Sequence, residues 1–497
     1  MMLLSLLRSL EPSLTDLPDR AIDSLTENTA LADPQSLFVC IRGARFDGHD
    51  LAFEAYKKGC RAFVAERELS LPNDAFILTV PSTRRAMATL ACAFYGHPSH
   101  KMQIIGITGT KGKTTVAHMI YHMLNQNGVP CGYVGTNGVA YGGIKSRTSN
   151  TTPDAVTLQK TLSDMYRSGI RAAVLEISSQ ALKQYRADGI RFAQVLFTNL
   201  FPDHISPNEH ADMTEYANCK RRLFCEFAFS QAVYNADDAA TPWMTAQIPT
   251  KKKTACSLQD PNAAYFATDL QRYRKSASMG ILFALLHGKD HIPCHLPLLG
   301  EFNVCNALLA IAAAHKVCDV PLSALVQALE TVTVAGRGEI LPLPNGATAI
   351  IDYAHNGGSL HNLLSALREY APRRLICLFG SVGERTQLRR PELGKVAAEL
   401  CDLCILTSDN PGNEDPMAII RDIATAFADK TTPYVAIADR AEAIHYGVSV
   451  AQPGDILVLA GKGHEDYQLI GNQKLPFSEH DILLESMQAL HTGSQIL

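Results

Sequence analysis

The chain has 497 residues, more than one hydrophobic core usually supports, so we expect two or three domains. Its 45 Lys and Arg against 49 Asp and Glu leave a formal charge of −4, which excludes a chain-wide basic surface for nucleic acid. No run approaches the roughly 18 apolar residues that span a bilayer, and the 13 cysteines form no zinc-type pattern. We therefore predict a multidomain cytoplasmic enzyme with reduced thiols and no nucleic-acid or membrane partner.

The first block, residues 1–101, is predicted to be a small α/β domain. Its apolar start is interrupted by Arg8 and Glu11, which predicts a short helix rather than a signal peptide. A strand over 37–43 is followed by a turn and by a helix that ends near Gly59. The turn-forming stretch 96–101 marks the first domain boundary.

The second block, residues 102–335, begins with a strand, a glycine-rich loop and a helix that ends at Gly128. Further apolar strands follow at 172–178 and 194–199, with helical segments between them. Strands separated by helices predict a parallel sheet.

The third block, residues 336–497, follows a linker rich in Gly and Pro. Apolar strands alternate with helical patterns, which predicts a second parallel, Rossmann-like sheet without a dinucleotide fingerprint. Ligands of such sheets bind at the carboxyl ends of the strands, where Asp352, Arg385, Asp409 and Lys462 fall. The predicted fold class is thus α/β, with three domains.

A phosphate-binding loop follows the first strand of the second block. Backbone N–H groups of such a loop surround an anion, and the helix that follows adds positive potential. Lys113 is expected to reach the β- and γ-phosphates, and the Thr114 hydroxyl to bind Mg²⁺. We predict that these residues bind ATP: Gly109, Thr110, Lys111, Gly112, Lys113, Thr114 and Thr115.

Acidic and imidazole side chains follow two neighbouring strands of the same block. Glu176 ends one strand and is a predicted Mg²⁺ ligand, because a buried carboxylate without a partner is costly. His204 follows the next strand and is predicted to be a Mg²⁺ ligand from its position. Lys220, beside two arginines on a helix, has the sequence context of a solvated cation.

A set of motifs in fixed order resembles the Mur ligase family over nearly the whole chain, least before residue 35. The resemblance implies three domains and an ATP-dependent ligase of peptidoglycan synthesis. Among its members, it points to those that activate UDP-MurNAc-L-Ala-D-Glu as an acyl phosphate and add the third amino acid. The motifs are GTKGKTT, NTTPD, EISSQALKQYR, FTNLFPDH, YANCKRRLF, NADD, GEFNVCNALLA, GRGE, DYAH, DNPGNEDP and GKGHEDYQ.

The resemblance also implies roles for individual residues and a monomer with mobile domains. Lys220 matches the lysine that the family carbamylates with CO₂, which turns it into an anionic Mg²⁺ ligand (N6-carboxylysine). The resemblance implies that Lys113, Thr114 and Glu176 handle phosphate and one Mg²⁺, and that His204 serves a second Mg²⁺. Further ATP contacts are implied for Asn303, Arg337 and Asp352. Contacts to the muramoyl dipeptide are implied for Thr151, Thr152, Ser178, Gln184 and Arg186. Contacts to the incoming amino acid are implied for Arg385, Asp409, Asn410, Gly461 and Glu465.

The acceptor amino acid depends on residue 412. Family members that use meso-diaminopimelate have arginine there, and Gly412 offers no cation to the distal carboxylate. This predicts L-lysine or another diamino acid, with Glu414, Asp415 or Glu465 as partners of its ammonium group. The alternatives are meso-diaminopimelate, as the motif around Glu465 favours, and an activity like that of folylpolyglutamate synthetase. The uridine contacts are expected at 28–30 or 23–25.

Overall fold

The computed structural model describes residues 1–15, 20–43, 46–203, 205, 209–275, 278–384, 387 and 389–492. The chain separates into two compact units, Met1–Tyr265 with Leu309–Leu325 and Phe266–Leu308 with Val326–Leu497. We call these the first and the second unit. The domain boundaries at 101/102 and 335/336 stay predictions.

The first unit begins with a small parallel sheet in the order β1-β2-β3-β4. Its strands are β1 (Ser24–Thr26), β2 (Ser36–Val39), β3 (Ala62–Ala65) and β4 (Phe76–Thr79), and its helices are α1 (Leu3–Leu7), α2 (Ala52–Lys57) and α3 (Thr83–Phe94). The helix predicted at the apolar start is confirmed, since Leu3, Leu6 and Leu7 are buried against α3 and the sheet.

A larger sheet follows, in the order β12-β11-β10-β5-β9-β6-β7-β8 within this unit. Its strands are β5 (Gln103–Thr108), β6 (Cys131–Gly135), β7 (Gly138–Tyr141), β8 (Ile144–Ser146), β9 (Ala172–Glu176), β10 (Phe192–Phe197), β11 (Phe229–Asn235) and β12 (Lys253–Ser257). Its helices are α4 (Lys113–Gln126), α5 (Ala155–Arg167), α6 (Ser179–Lys183), α7 (Met213–Cys225) and α8 (Thr241–Met244). The predicted parallel pairing is confirmed for β5, β9 and β10, and β7 and β8 add antiparallel strands that were not predicted.

The central strands of this sheet are buried along almost their whole length. Every residue of β9 is buried, as are all but the first of β5, which is typical of parallel strands covered on both faces. The register places Ile107 beside Glu176 and Thr108 beside Phe197, so these strands end at one edge of the sheet.

The second unit contains an antiparallel meander that the sequence analysis missed. It consists of β13 (Tyr265–Lys275), β14 (Ser278–His287) and β15 (Asp290–Leu296), in which β14 pairs with both neighbours. Helices α9 (Glu301–His315) and α10 (Leu322–Leu329) follow, and their residues are divided between the two units.

The predicted Rossmann-like sheet is confirmed, in the order β16-β17-β21-β18-β19-β20 with β16 antiparallel. Its strands are β16 (Arg337–Pro342), β17 (Thr348–Asp352), β18 (Leu375–Phe379), β19 (Leu403–Leu406), β20 (Tyr434–Ala436) and β21 (Ile456–Ala460), and β22 (Tyr467–Ile470) and β23 (Gln473–Pro476) form a separate ribbon. The helices are α11 (Gly357–Arg368), α12 (Arg389–Leu400), α13 (Pro416–Ala424), α14 (Arg440–Val450) and α15 (Glu479–Thr492).

Both faces of this sheet are covered by helices. Val458 of β21 belongs to a core that α11, α12 and α13 complete. Its neighbours Leu457 and Leu459 belong to a second core with α14 and α15. This alternation follows from the two-residue period of a strand.

The described part of the chain contains no helix that is both long and apolar enough to cross a membrane. All 13 cysteines are free thiols, and Cys225 is exposed while most of the others are buried.

Candidate functional site

The predicted phosphate loop connects β5 with α4, and two glycines fix its path. Gly109 has a φ of +149°, and a Cβ on its backbone would lie 1.9 Å from the Thr198 hydroxyl, so no other residue fits there. Gly112 has a φ of +84° and is the N-cap of α4. Because Gly112 brings no capping side chain, the first N–H groups of α4 are available to an anion.

Residues that follow β10 hold this loop in place. The N–H groups of Thr110 and Lys111 donate to Asn199, at 2.9 Å to its carbonyl and 2.8 Å to its side-chain oxygen. The Lys111 ammonium lies 3.0 Å from Asp203, and the Tyr216 hydroxyl donates to the Thr110 hydroxyl at 3.1 Å. The loop is therefore tied to two neighbouring elements.

Two lysines converge on the carbonyl oxygen of Gly109. Lys113 Nζ and Lys220 Nζ each donate to it at 2.8 Å. Lys220 is 1% exposed and its Nζ lies 4.4 Å from the centroid of the Tyr216 ring. The sequence context of Lys220 indicates a solvated side chain, and this prediction is wrong. Helix α7 directs the side chain toward the interior, beside the phosphate loop.

The electrostatic surroundings of Lys220 favour an uncharged amine. Burial, reinforced by the positive charge of Lys113, lowers the pKa of Lys220 well below its ordinary value. An uncharged amine is nucleophilic and can add to CO₂, whereas an ammonium cannot. The structure thus gives Lys220 the chemistry that carbamylation needs.

Glu176 is buried at the end of β9 and is held by several donors. Its two oxygens accept hydrogen bonds from the hydroxyls of Thr114 (2.9 Å) and Tyr133 (2.6 Å) and from the N–H (3.0 Å) and hydroxyl (3.1 Å) of Thr136. The sequence analysis missed Tyr133 and Thr136, which lie far from Glu176 in the chain and are brought to it by β6 and its following turn.

The pair Glu176 and Thr114 fits a Mg²⁺ ion. A carboxylate and a hydroxyl are hard oxygen ligands, and in phosphate sites Mg²⁺ takes one or two protein carboxylates with the phosphate oxygens. Among the described residues there is no group of three His, Cys, Asp or Glu side chains that could hold a metal by itself. His204 lies outside the described residues.

The residues predicted to bind the muramoyl dipeptide form one hydrogen-bonded group. The Thr152 hydroxyl donates to Glu176 O at 2.7 Å and accepts from Ser178 N at 3.0 Å. Arg186 donates to Thr152 O at 2.8 Å and to Gln184 Oε1 at 2.6 Å. Thr151 joins through its hydroxyl, 3.2 Å from that of Thr136.

These groups line a cavity of about 210 Å³ in the first unit. Its lining residues are Lys113, Asn150, Thr151, Ser178, Ser179, Gln180, Arg186, Glu209, His210 and Lys220. The structure thus brings together the predicted phosphate, carbamate and dipeptide residues. The sequence analysis missed His210, which is buried with Nε2 2.9 Å from the Ser179 hydroxyl.

Three of the predicted ATP residues belong to the second unit. Asn303 lies on α9, and Arg337 and Asp352 lie on the first two strands of the Rossmann-like sheet. Arg337 and Asp352 are register partners, and the Arg337 guanidinium lies 4.8 Å from the Tyr353 ring. Burial raises the pKa of Tyr353 to about 12, so its hydroxyl stays protonated. Asn303 is buried, donates to Leu299 O at 2.8 Å and accepts from Asn306 at 2.9 Å.

The predicted acceptor residues gather around a buried lysine. Lys462 Nζ lies 3.1 Å from both Asn410 Oδ1 and Glu465 Oε2, and 3.8 Å from Asp409. Asn410 also donates to Glu465 at 2.9 Å. Gly461 has a φ of +115°, and a Cβ there would lie 2.8 Å from the Asp409 carboxylate. The close approach explains glycine at this position.

The three carboxylates that we expected to serve an ammonium group already have partners. Glu414 lies 2.6 Å from Arg390, and Glu465 is held by Lys462. Asp415 caps α13 and lies 3.2 Å from Arg421. An ammonium group would have to share these carboxylates with the cations that already contact them, and their role toward the acceptor stays a prediction.

A different carboxylate faces residue 412. Gly412 has a φ of +60°, and a Cβ on its backbone would lie 2.9 Å from Glu384 Oε2. Glu384 Oε1 accepts a hydrogen bond from Asn413 at 2.7 Å. Arg385 lies outside the described residues. The uridine contacts stay a prediction; Asn28 caps a short 3₁₀ turn there.

Three family models match the chain in succession. They are "Mur ligase family, catalytic domain" at residues 26–95, "Mur ligase middle domain" at 107–314 and "Mur ligase, glutamate ligase domain" at 336–463.

Two similar relatives carry the name "UDP-N-acetylmuramoyl-L-alanyl-D-glutamate--2,6-diaminopimelate ligase". The protein from Caldanaerobacter subterraneus subsp. tengcongensis is 37% identical over 98% of this chain and 98% of its own. That from Geobacillus thermodenitrificans is 36% identical over 90% of this chain and 91% of its own. The name matches our alternative acceptor rather than L-lysine.

Solved structures share the fold. A structure titled with the same ligase name has a TM-score of 0.72 and 29% identity, and covers 99% of this chain and 100% of its own. Folylpolyglutamate synthase from Mycobacterium tuberculosis, in complex with ADP and AMPPCP, has a TM-score of 0.60 and 17% identity over 76% of this chain and 92% of its own. That identity shows the fold alone.

Proposed function

The chain belongs to the Mur ligase family, and from this premise we propose that it adds the third amino acid to UDP-MurNAc-L-Ala-D-Glu in peptidoglycan synthesis. It is an ATP-dependent, ADP-forming ligase. The observation that carries the proposal is the cavity in which Lys113, Lys220 and Arg186 meet. Two cationic side chains, Lys113 and Arg186, border one space with Lys220, and this suits a substrate whose carboxylate reacts next to the γ-phosphate of ATP.

The first step activates the D-Glu side-chain carboxylate. A carboxylate oxygen attacks the γ-phosphorus of ATP, and the bond from this phosphorus to the oxygen of the β-phosphate breaks. The products are the acyl phosphate and ADP. Lys113 and the N–H groups at the start of α4 stabilise charge on the transferred group. Thr114 and Glu176 would hold one Mg²⁺ and His204 a second, and these ions would neutralise phosphate charge.

Lys220 takes part as a carbamate. Its uncharged amine adds to CO₂ and loses a proton, so a neutral group beside Lys113 becomes an anion. An anionic oxygen ligand suits Mg²⁺, which an ammonium would repel. The buried position of Lys220 beside the phosphate loop supports this assignment.

The second step forms the amide. The acceptor amine attacks the acyl carbon, phosphate departs, and the amine loses a proton. Asp409, Asn410, Gly461, Glu465 and Arg385 are assigned to the acceptor, and Asn303, Arg337 and Asp352 to ATP. Lys462 lies 3.8 Å from Asp409 and 3.1 Å from Glu465, so it offsets the negative charge that these two carboxylates bring to the site.

For the acceptor itself we infer meso-diaminopimelate, because the relatives that match the chain end to end carry that name. L-lysine is the second candidate, and one observation favours it. Residue 412 is faced by the Glu384 carboxylate, which attracts an ammonium and repels a second carboxylate. The proposed reaction uses ATP and a UDP-linked precursor, so we assign it to the cytoplasm. The resemblance to the family further supports a monomer.

Release of phosphate tests the ligase proposal. We expect it to require ATP, Mg²⁺, UDP-MurNAc-L-Ala-D-Glu and an amino acid together. Phosphate release that is independent of the nucleotide dipeptide would contradict the proposal.

Competition between radiolabelled acceptors tests the choice of amino acid. We expect meso-diaminopimelate to have a higher kcat/KM than L-lysine or L-ornithine. If the enzyme prefers L-lysine and the Gly412→Arg substitution reduces that preference, L-lysine is the acceptor. Glu384→Gln is the matched variant: it removes the charge that faces residue 412 without adding a cation.

A further inference from the structure

Tyr185 has a left-handed backbone in the loop that follows α6. Its φ is +59°, in a region that aromatic residues rarely adopt. The helix ends there in a Schellman motif, since Tyr185 N donates to Leu182 O at 3.2 Å and Arg186 N to Ala181 O at 2.9 Å. The left-handed residue of this motif is usually glycine. A tyrosine there needs stabilisation from its neighbours.

Two guanidinium groups supply that stabilisation. Arg85 of α3 lies 4.7 Å from the centroid of the Tyr185 ring, and Arg222 of α7 lies 4.5 Å from it. Carboxylates hold both arginines: Glu226 lies 3.0 Å from Arg85 and 2.8 Å from Arg222, and Asp188 lies 3.5 Å from each. The ring is thus attached to the helix that carries Lys220.

The conformation of Tyr185 decides where its two neighbours lie. Arg186 donates to Gln184 Oε1 at 2.6 and 3.1 Å and to Thr152 O at 2.8 Å. Arg186 also lines the cavity with Lys113. With a right-handed residue at 185 the chain would leave α6 in another direction, and Arg186 would not reach Thr152.

We propose that Tyr185 is a positioning residue for the UDP-linked substrate. Its ring contacts with Arg85 and Arg222 hold the left-handed turn that directs Arg186 into the cavity. This inference rests on the proposed function, because it takes the cavity as the binding site of UDP-MurNAc-L-Ala-D-Glu.

Two substitutions at one position separate positioning from packing. Tyr185→Ala keeps the Cβ that disfavours the left-handed turn but loses the ring that holds it. Tyr185→Gly loses the same ring and adopts the turn freely. We expect Tyr185→Ala to raise KM for UDP-MurNAc-L-Ala-D-Glu about tenfold with kcat within about twofold, and Tyr185→Gly to stay within about threefold of wild type. Melting temperature is measured alongside.

Arg85→Met tests the same contact with the tyrosine in place, and keeps the test valid should Tyr185→Ala fold poorly. We expect a rise in KM in the same direction. Lys57→Met is its matched control, because it removes a cation 4.8 Å from the Phe53 ring on α2, away from the cavity; its KM should equal that of wild type.

The outcomes distinguish the two proposals. A Tyr185→Ala enzyme with wild-type KM, or a Tyr185→Gly enzyme as impaired as Tyr185→Ala, overturns the positioning role while the wild-type ligase activity stands. A wild-type enzyme without activity on UDP-MurNAc-L-Ala-D-Glu overturns the proposed function, and the role of Tyr185 with it.

Discussion

At the scale of single residues, the environment of a side chain changes its chemistry. Lys113 and Lys220 are the same amino acid and donate to the same carbonyl oxygen. Lys113 is partly exposed on the phosphate loop, whereas Lys220 is buried and its pKa is lowered well below the ordinary value. One lysine thus suits phosphate binding as a cation, and the other suits reaction with CO₂ as an amine.

Lys113→Ala removes the cation that reaches the transferred phosphate. We expect the rate of ligation to fall by about 10² to 10³, the usual loss for a contact that stabilises transition-state charge. The fold should persist, because Lys113 has no part in the core. The checks are kcat from phosphate release and the circular dichroism spectrum; a folded variant with near-wild-type kcat would refute the role of the loop.

Lys220→Ala removes the proposed carbamate, and we expect an inactive enzyme that short-chain carboxylates partly rescue by supplying an anionic oxygen at the same place. Lys220→Arg is the control: it places a permanent cation there, cannot form the carbamate and should not be rescued. Because the lowered pKa raises the uncharged fraction of the amine, wild-type activity should depend on bicarbonate and decline as the amine is protonated at lower pH. Activity of Lys220→Ala without added carboxylate would exclude the carbamate.

At the scale of elements, the C-terminal helix α15 is fastened by a buried ion pair. Arg440 of α14 and Glu479 at the start of α15 are 2.7 Å apart and fully buried. Arg440 also donates to Ser408 O at 3.0 Å and Ala460 O at 2.8 Å, beside the proposed acceptor residues. Burial raises the pKa of Glu479, so this carboxylate depends on its partner.

Glu479→Leu leaves the Arg440 charge buried without its partner. We expect a loss of about 3 to 5 kcal/mol in the free energy of unfolding, measured in urea. The double variant Arg440→Met with Glu479→Leu should regain most of it, because two apolar side chains replace two charges. Equal stability of the single and double variants would mean that the pair contributes no coupling.

At the scale of the whole molecule, the two units repeat one arrangement. In each, parallel strands end at an edge where proposed ligand residues lie: Glu176 in the first, Asp352 in the second. The reason is general, since loops at the carboxyl ends of parallel strands leave a crevice for ligands.

Thiol accessibility reports on the whole native fold. Cys225 is exposed and most other cysteines are buried, so an aromatic disulfide reagent should modify about one thiol quickly in the native protein. All 13 should react after denaturation. Rapid modification of several thiols in native buffer would contradict the packing described for the cores, and Cys225→Ser should remove the fast phase.

The sequence predicted the parts that local pattern determines. Alternating apolar strands and helices gave both parallel sheets, and the glycine spacing located the phosphate loop. The meander β13–β15 was missed although Gly288 marks one of its turns, because its strands lie between clearer helical patterns. The burial of Lys220 and the hydrogen bond from Tyr133 to Glu176 arise from contacts between distant segments, which no local pattern records.

The crowding at Gly109 limits which substitutions this loop can accept during evolution. Any side chain there would collide with Thr198, and the φ of +149° disfavours all residues except glycine. A single codon change at this position therefore removes the loop rather than altering its shape. Resistance to an inhibitor that binds the backbone of Gly109 could therefore not arise by substitution of that residue, because the substitution would also disable the loop.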